Sequence, residues 1–374
     1  MHHTPEPGHD DLDATAGPPP VFHAEQALLC ALLLEPQRLG EVTGIGRDAF
    51  STAAHAAVFR AISSLPAADP VDHTQSTHWL DAVLSAAREQ ASGLTATYLH
   101  HLIQVCPRPR HAPAYAQMIE AEHARRRLAA AAQHLGHTAR DTSLPQPVIT
   151  TLDEADTLAA LLDDIAARFP PHAGSLHRTR VPEPTPPPNQ EALGEEQLLL
   201  ATATAFPTVI EQMRWLTPGD FTHPLHAGLW QCLNALIRRD TPVDPVTLLW
   251  EAQHRRLLTA GADPRELLDL LNGPLGSPDH WGERVLQRSL LATAQHTSQI
   301  IEAFTNDPAI TPNQLVVGSR RALADLSAVR TRWQHATTPA PAVPPSPTKP
   351  RRTPHVPRAG PPRTTAPPAV RSSR

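Results

Sequence analysis

Lysine is nearly absent from this 374-residue sequence: Lys349 stands alone among 32 basic side chains. A phosphate-cradling loop of the form GxxxxGK[ST] needs a lysine followed by a hydroxyl residue, and Lys349 is followed by Pro350. A nucleotide hydrolase of that type is therefore not expected. Arginine supplies the remaining positive charge, which coding bias explains more simply than function does. Aromatic residues amount to 4%; with alanine and leucine dominating, helix is favoured over strand. Cysteine occurs only at Cys30, Cys106 and Cys232, far apart and in apolar surroundings. No disulfide framework and no zinc spacing is read from them, and a reducing compartment fits. The 22 histidines include no HExxH and no His/Cys cluster, so no metal or other cofactor is expected. No apolar run reaches the roughly 18–20 residues of a membrane span, and MHHTPEPGHDDLD carries neither the basic nor the apolar part of a secretory signal. These absences point to a soluble cytoplasmic protein with no membrane partner.

Proline, by contrast, is abundant, with 42 residues. It concentrates in segments expected to lie outside any core: 170–190, with seven prolines, and 336–374, with twelve. Residues 1–20, polar and acidic and ending in GPPP, are read the same way. Such runs favour extended linkers because proline fixes φ and removes a donor. The last segment holds seven basic residues and no acid, whereas residues 1–335 hold 25 basic against 37 acidic, a net of −12. An acidic body speaks against a nucleic-acid groove in the folded part. The tail cations Lys349, Arg351, Arg352, Arg358 and Arg363 are candidates for non-specific contact with DNA phosphates. The same tail could instead fold back on the acidic body or serve as a solubilising linker.

Between these segments the sequence repeats itself. DAFSTAAHAAVF (48–59) and GDFTHPLHAGLW (219–230) align Phe50 with Phe221, His55 with His226 and Phe59 with Trp230, each pair 171 apart. Glu25-Gln26 falls on Glu196-Gln197 at the same spacing, within apolar helical patterns that end at Pro36 and Pro207. Val71-Asp72 and Val243-Asp244 follow at 172, each aspartate placed to cap a helix, with Pro245 at the first helical position. Each half then closes with two longer helical stretches, 114–135 with 147–169 and 279–304 with 311–333. Short polar connections make these antiparallel hairpins. The fold class is all-α: a small helical globule plus a hairpin, written twice, over 21–169 and 191–335.

The first unit, with AEQALLCALLLEP, then Phe50, His55 and Phe59, then PVD, then Tyr115-Ala116 leading into the arginines at 125–127, resembles the N-terminal domain of DnaB-family replicative helicases. The resemblance spans about 22–169 and, more diverged, 193–335, where Trp281 stands in place of Tyr115. It implies a collar-forming, protein-binding domain whose partners are the replicative helicase, primase or a loader protein. The family's unwinding motor needs the P-loop that these residues lack, so helicase activity is not implied and catalytic residues are not expected. The alternative function is accessory DNA binding through the basic tail.

Phe50, His55, Phe59, Phe221, His226 and Trp230 are the expected signature core. The histidines read as half-buried groups bonded to backbone rather than as ligands. Glu195-Glu196 and Asp163-Asp164 read as solvated or helix-start acids, and Arg125 to Arg127 as a solvated face pairing with Glu120 and Glu122. A linker of about 21 residues spans roughly 25 Å, so the hairpins are expected to meet within one chain at near-millimolar effective concentration. Tyr115, Ile119, Leu161, Trp281, Val285 and Leu323 are the expected interface, and the assembly a monomer or a trimer.

Overall fold

Among the described residues, seven of the twelve principal helices open on a proline, which gives part of the proline content a place inside the folded units. At the first helical position the missing N–H would have had no partner, and the fixed φ already suits the helix. The structure, a computed structural model, describes residues 17–69, 73, 75–171, 179–183, 189–258, 263–338 and 360. The residues before 17, most of the Pro-rich linker, the Asp72 cap and the tail cations Lys349, Arg351, Arg352, Arg358 and Arg363 lie outside them. The described residues are all-α and contain no strand.

The first half runs α1 (Pro20–Leu34), α2 (Ala53–Ser64), α3 (His78–Arg88), α4 (Ala96–Gln104), α5 (Ala112–Arg140) and α6 (Pro147–Arg168). The second runs α7 (Gln190–Ala205), α8 (Pro224–Arg238), α9 (Pro245–His254), α10 (Pro264–Leu271), α11 (Pro278–Asn306) and α12 (Pro312–Thr337). Caps set several starts: the Thr52 side chain accepts from the His55 N–H, Thr95 from Tyr98, and Asp244 from Val246 and Thr247. Thr311 and Gln314 bond reciprocally at the head of α12.

Burial repeats as the sequence does. In the long helices Ala116, Ile119, Ala124, Leu128, Ala132, Leu135 and Ala139 are buried. So are Gly282, Val285, Leu290, Ala294, Ser298, Ile301 and Thr305, the positions 166 further on. Shifted by 164, Leu152, Ala155, Leu158, Leu162 and Ile165 of α6 correspond to Val316, Ser319, Ala322, Leu326 and Val329 of α12.

Two apolar clusters result. One is the core of the first globule, from α1 to the start of α5. The other runs without a break from the second globule through all four hairpin helices. Tyr115 and Ile119 belong to the first cluster, not to the hairpin seam. The reason is register: they lie on the first turns of α5, which enter the globule before the hairpin begins. Gly282 abuts Trp215 and Met213 of the second globule, so Trp281 and Val285 stand at the matching end of α11. Leu161 and Leu323 pack within the hairpin cluster.

One expectation is overturned. Cys30 and Cys106 form a disulfide, with their Cα atoms 5.6 Å apart. Separated by 76 positions in sequence, they meet because the turn after α4 packs against α1. Cys232 is a free, buried thiol.

Candidate functional site: a repeated buried node and the seam between the halves

Each globule encloses a carboxylate bound to a histidine. Glu25 on α1 is fully buried and accepts from the Ser51 N–H at 2.6 Å, the Ser51 hydroxyl at 2.9 Å and His55 Nδ1 at 2.5 Å. The other ring nitrogen, Nε2, lies 2.7 Å from the Tyr98 hydroxyl. Burial raises the pKa of Tyr98, against a hydrogen bond from the Gln26 side chain that lowers it. Glu196 on α7 repeats the arrangement, accepting from the Thr222 N–H at 2.5 Å, its hydroxyl at 2.6 Å and His226 Nδ1 at 2.6 Å. Burial pushes the Glu196 carboxyl up, but the bonds from His226 and Thr222 outweigh it and hold the group below the usual glutamate range.

His55 and His226 are thus fully buried and held by a carboxylate, not half-buried on a backbone group. Beside them, Phe50 packs on Phe59 with ring centres 4.8 Å apart, and Phe221 on Trp230 at 5.6 Å. Glu195 is not solvated either; Arg284 and Arg288 reach it at 2.9 and 2.6 Å. The node ties the start of α2 or α8 to α1 or α7. No group of three metal-binding side chains occurs among the described residues.

The second feature lies between the halves. α5 and α11 pack antiparallel: Arg125, midway along α5, reaches residues 305–310 at and just beyond the C-terminal end of α11, while Ala139, in the last turn of α5, meets Gln295. The Ser298 hydroxyl donates to the Ala132 carbonyl at 2.7 Å. Ser298 is the counterpart of Ala132 at the 166 offset, so equivalent positions touch each other and a pseudo-two-fold axis passes between them. The other helix pair follows the same symmetry, with Arg330 bonded to Asp156 and Arg320 to Asp163, both across the seam.

Arg125 corrects a further expectation. Its guanidinium donates to the Thr305 carbonyl at 2.9 Å, to the Asp307 carbonyl at 2.8 Å and to the Ile310 carbonyl. Thr305 is in the last turn of α11, where carbonyls lack helical partners. Asp307 caps that helix and also accepts the Ile310 N–H, and Ile310 lies in the turn leading into α12. Arg125 also keeps the expected pairing with Glu122, at 3.4 Å. Arg126 turns inward to the Ala49 carbonyl, and Arg127 faces outward, with Asp164 at 3.0 Å.

The family model described as the DnaB-like helicase N terminal domain matches residues 17–121 and again 186–279, just over half of the chain. This chain belongs to that family. The two matches cover the globules with their Glu–His nodes and stop near the starts of α5 and α11, so the paired hairpins lie beyond them. No curated protein and no solved structure matches. Membership suggests a replication-related role of the helicase-collar kind. No helix among the described residues is long and apolar enough to cross a membrane.

Proposed function

We propose that this DnaB-like chain is a non-catalytic interaction protein of DNA replication that acts in the cytoplasm and binds a replicative helicase, a primase or a loader protein. The observation that carries the proposal is the seam: two collar-type units paired hairpin to hairpin inside one chain, around a pseudo-two-fold axis. A tethered pair is pre-organised and meets a ring as a ready-made dimer. Three such chains would supply six collar-type units, which makes a monomer or a trimer the expected species. The candidate contact surface is the outside of the two globules, because their nodes and inner faces are occupied by packing. Pull-down of purified helicase and primase from the same source tests this. Retention of either supports the proposal, and retention of neither at micromolar concentration overturns it.

The tail composition favours one second reading, accessory binding to DNA phosphates through Lys349, Arg351, Arg352, Arg358 and Arg363. Gel shifts over a salt series with the full chain and with a chain ending at residue 335 separate the two. A tail-dependent shift that fades with salt supports it, and no shift at low salt removes it.

A further inference from the structure

The disulfide joins α1 to the turn that leads from α4 into α5, so it closes the first globule at the point where its hairpin departs. The second half shows what that position looks like without the bond. Ala201 is the counterpart of Cys30 at the 171 offset. Gly273 stands two residues after α10, as Cys106 stands two residues after α4. A Cβ placed on Gly273 would lie 3.9 Å from the Cβ of Ala201, within the range that disulfide-bonded cysteines require. Both halves therefore bring the two positions together, and only the first equips them with sulfur. The second half uses a hydrogen bond nearby instead, from the Gly276 N–H to the Thr202 hydroxyl at 3.1 Å.

Two further observations bear on reversibility. Cys30 is fully buried while Cys106 is half-buried, so a small reagent reaches the pair through Cys106. Cys30 Sγ also lies 3.8 Å from the Ile103 carbonyl, an acceptor for the thiol once the bond is reduced, so neither state strands a buried polar group. The third cysteine does not compete: Cys232 is buried and its pKa is pushed up to about 11 by burial.

We propose that Cys30 and Cys106 form a reversible redox staple that sets how rigidly the first globule is held on its hairpin, a device absent from the second. The oxidant is a low-molecular-weight disulfide. The Cys106 thiolate attacks one of its sulfurs, forming a mixed disulfide and releasing one small thiolate. The Cys30 thiolate then attacks Cys106 Sγ and expels the second. Two protein thiols are oxidised, two small thiolates are formed and the two thiol protons pass to solvent. In a reducing compartment the pair rests as thiols, and oxidising conditions close it, consistent with the sensing role that cytosolic disulfides usually have.

The test equilibrates the full chain with mixtures of reduced and oxidised glutathione, blocks free thiols and maps the peptides by mass. The expected result is that Cys30 and Cys106 leave the alkylated pool together in one two-electron transition, while Cys232 remains a thiol throughout. Closing a long loop restrains the unfolded chain, so the oxidised protein melts roughly 5 °C or more above the reduced one. Cys106→Ser, at the half-buried position, abolishes both the transition and the difference in melting; Cys30→Ala gives the same result by an independent route. Full alkylation of Cys30 and Cys106 at every mixture overturns the proposal, as does identical melting of oxidised wild type and Cys106→Ser. Neither outcome depends on partner binding.

Discussion

The two halves share a fold and a buried Glu–His pair but connect their parts differently. In the first, His55 is held on both sides, by Glu25 and by Tyr98, and Phe22 lies 4.7 Å from its ring. In the second, His226 packs against His223, ring centres 4.8 Å apart. The first closes its globule with a disulfide, the second with a Thr202–Gly276 hydrogen bond. Arg125 reaches across the seam to the end of α11, and its counterpart at the 166 offset is Leu291, which packs in the hairpin cluster. The apolar positions recur almost one for one while the polar links are exchanged. The fold therefore rests on the pattern of buried carbon, and polar links decide how firmly each joint is fixed.

The largest expected effect comes from breaking a node. Glu196→Ala leaves His226 buried, and the part-buried Thr222 N–H, without their carboxylate, and removing one member of a buried pair costs about 3–5 kcal/mol. Glu25→Ala falls in the same range. Urea unfolding of both variants checks this, and a loss below about 1 kcal/mol would show the nodes to be dispensable. Tyr98→Phe sharpens the comparison, because it removes one hydrogen bond that the second half never had. It is expected to cost about 1 kcal/mol.

Acid acts on the same site. Glu196 binds its proton more weakly in the folded chain than a free glutamate does. Its contribution is therefore complete above the ordinary glutamate pKa of about 4.3 and is lost as pH falls through the lower, folded value. Stability measured from pH 6 downward should fall less steeply below pH 4.5 in Glu196→Gln than in wild type. Parallel curves would remove Glu196 as the cause.

Next in size is the seam. Arg125→Ala leaves three carbonyls at and just beyond the end of α11 without their charged donor, and hydrogen bonds to charged groups contribute about 1.5–3 kcal/mol. Leu291→Ala on the other side tests whether the clamp or the apolar contact matters more. Gly136→Leu drives a side chain against Ser298 beside the pseudo-axis, an overpacking that costs about 1–3 kcal/mol. Light scattering distinguishes a loosened monomer from chains that re-pair with each other.

Much of this was legible in the sequence, and the rest was hidden for identifiable reasons. The duplication showed as a constant spacing, and the helices showed as apolar periodicity bounded by prolines and caps. The node left a partial trace: Glu25 and Glu196 fall on each other at the same offset as His55 and His226, so each glutamate precedes its histidine by 30 residues. That invariant spacing was the signal for the pair, although local patterning cannot say that the two side chains touch. Arg125 was hidden because Glu122, one turn away, supplies a local partner at 3.4 Å, whereas its carbonyl acceptors lie 180 to 185 residues onward. Cys30 and Cys106 were hidden because only the packing of α1 against the turn after α4 joins them. Tyr115 and Ile119 were placed one helix segment too far along, since apolar periodicity does not mark where α5 leaves the globule.

The smallest expected effect is at the rim of the seam. Arg330 holds Asp156 with two bonds, and Arg320 holds Asp163, which makes these pairs look like the bonds that join the halves. Their side chains are largely open to water, however: 34% and 56% for Arg330 and Asp156, 52% and 74% for Arg320 and Asp163. Screening and the entropy of holding long side chains leave such pairs about 0–1 kcal/mol each. Arg330→Ala and Arg320→Ala together should therefore cost less than Arg125→Ala alone, and the loss should shrink further at 1 M salt, where the Debye length is about 3 Å. A double variant that separates the hairpins, or a loss that is independent of salt, would place the strength of the seam in its charges. The continuous apolar cluster beneath it predicts the opposite.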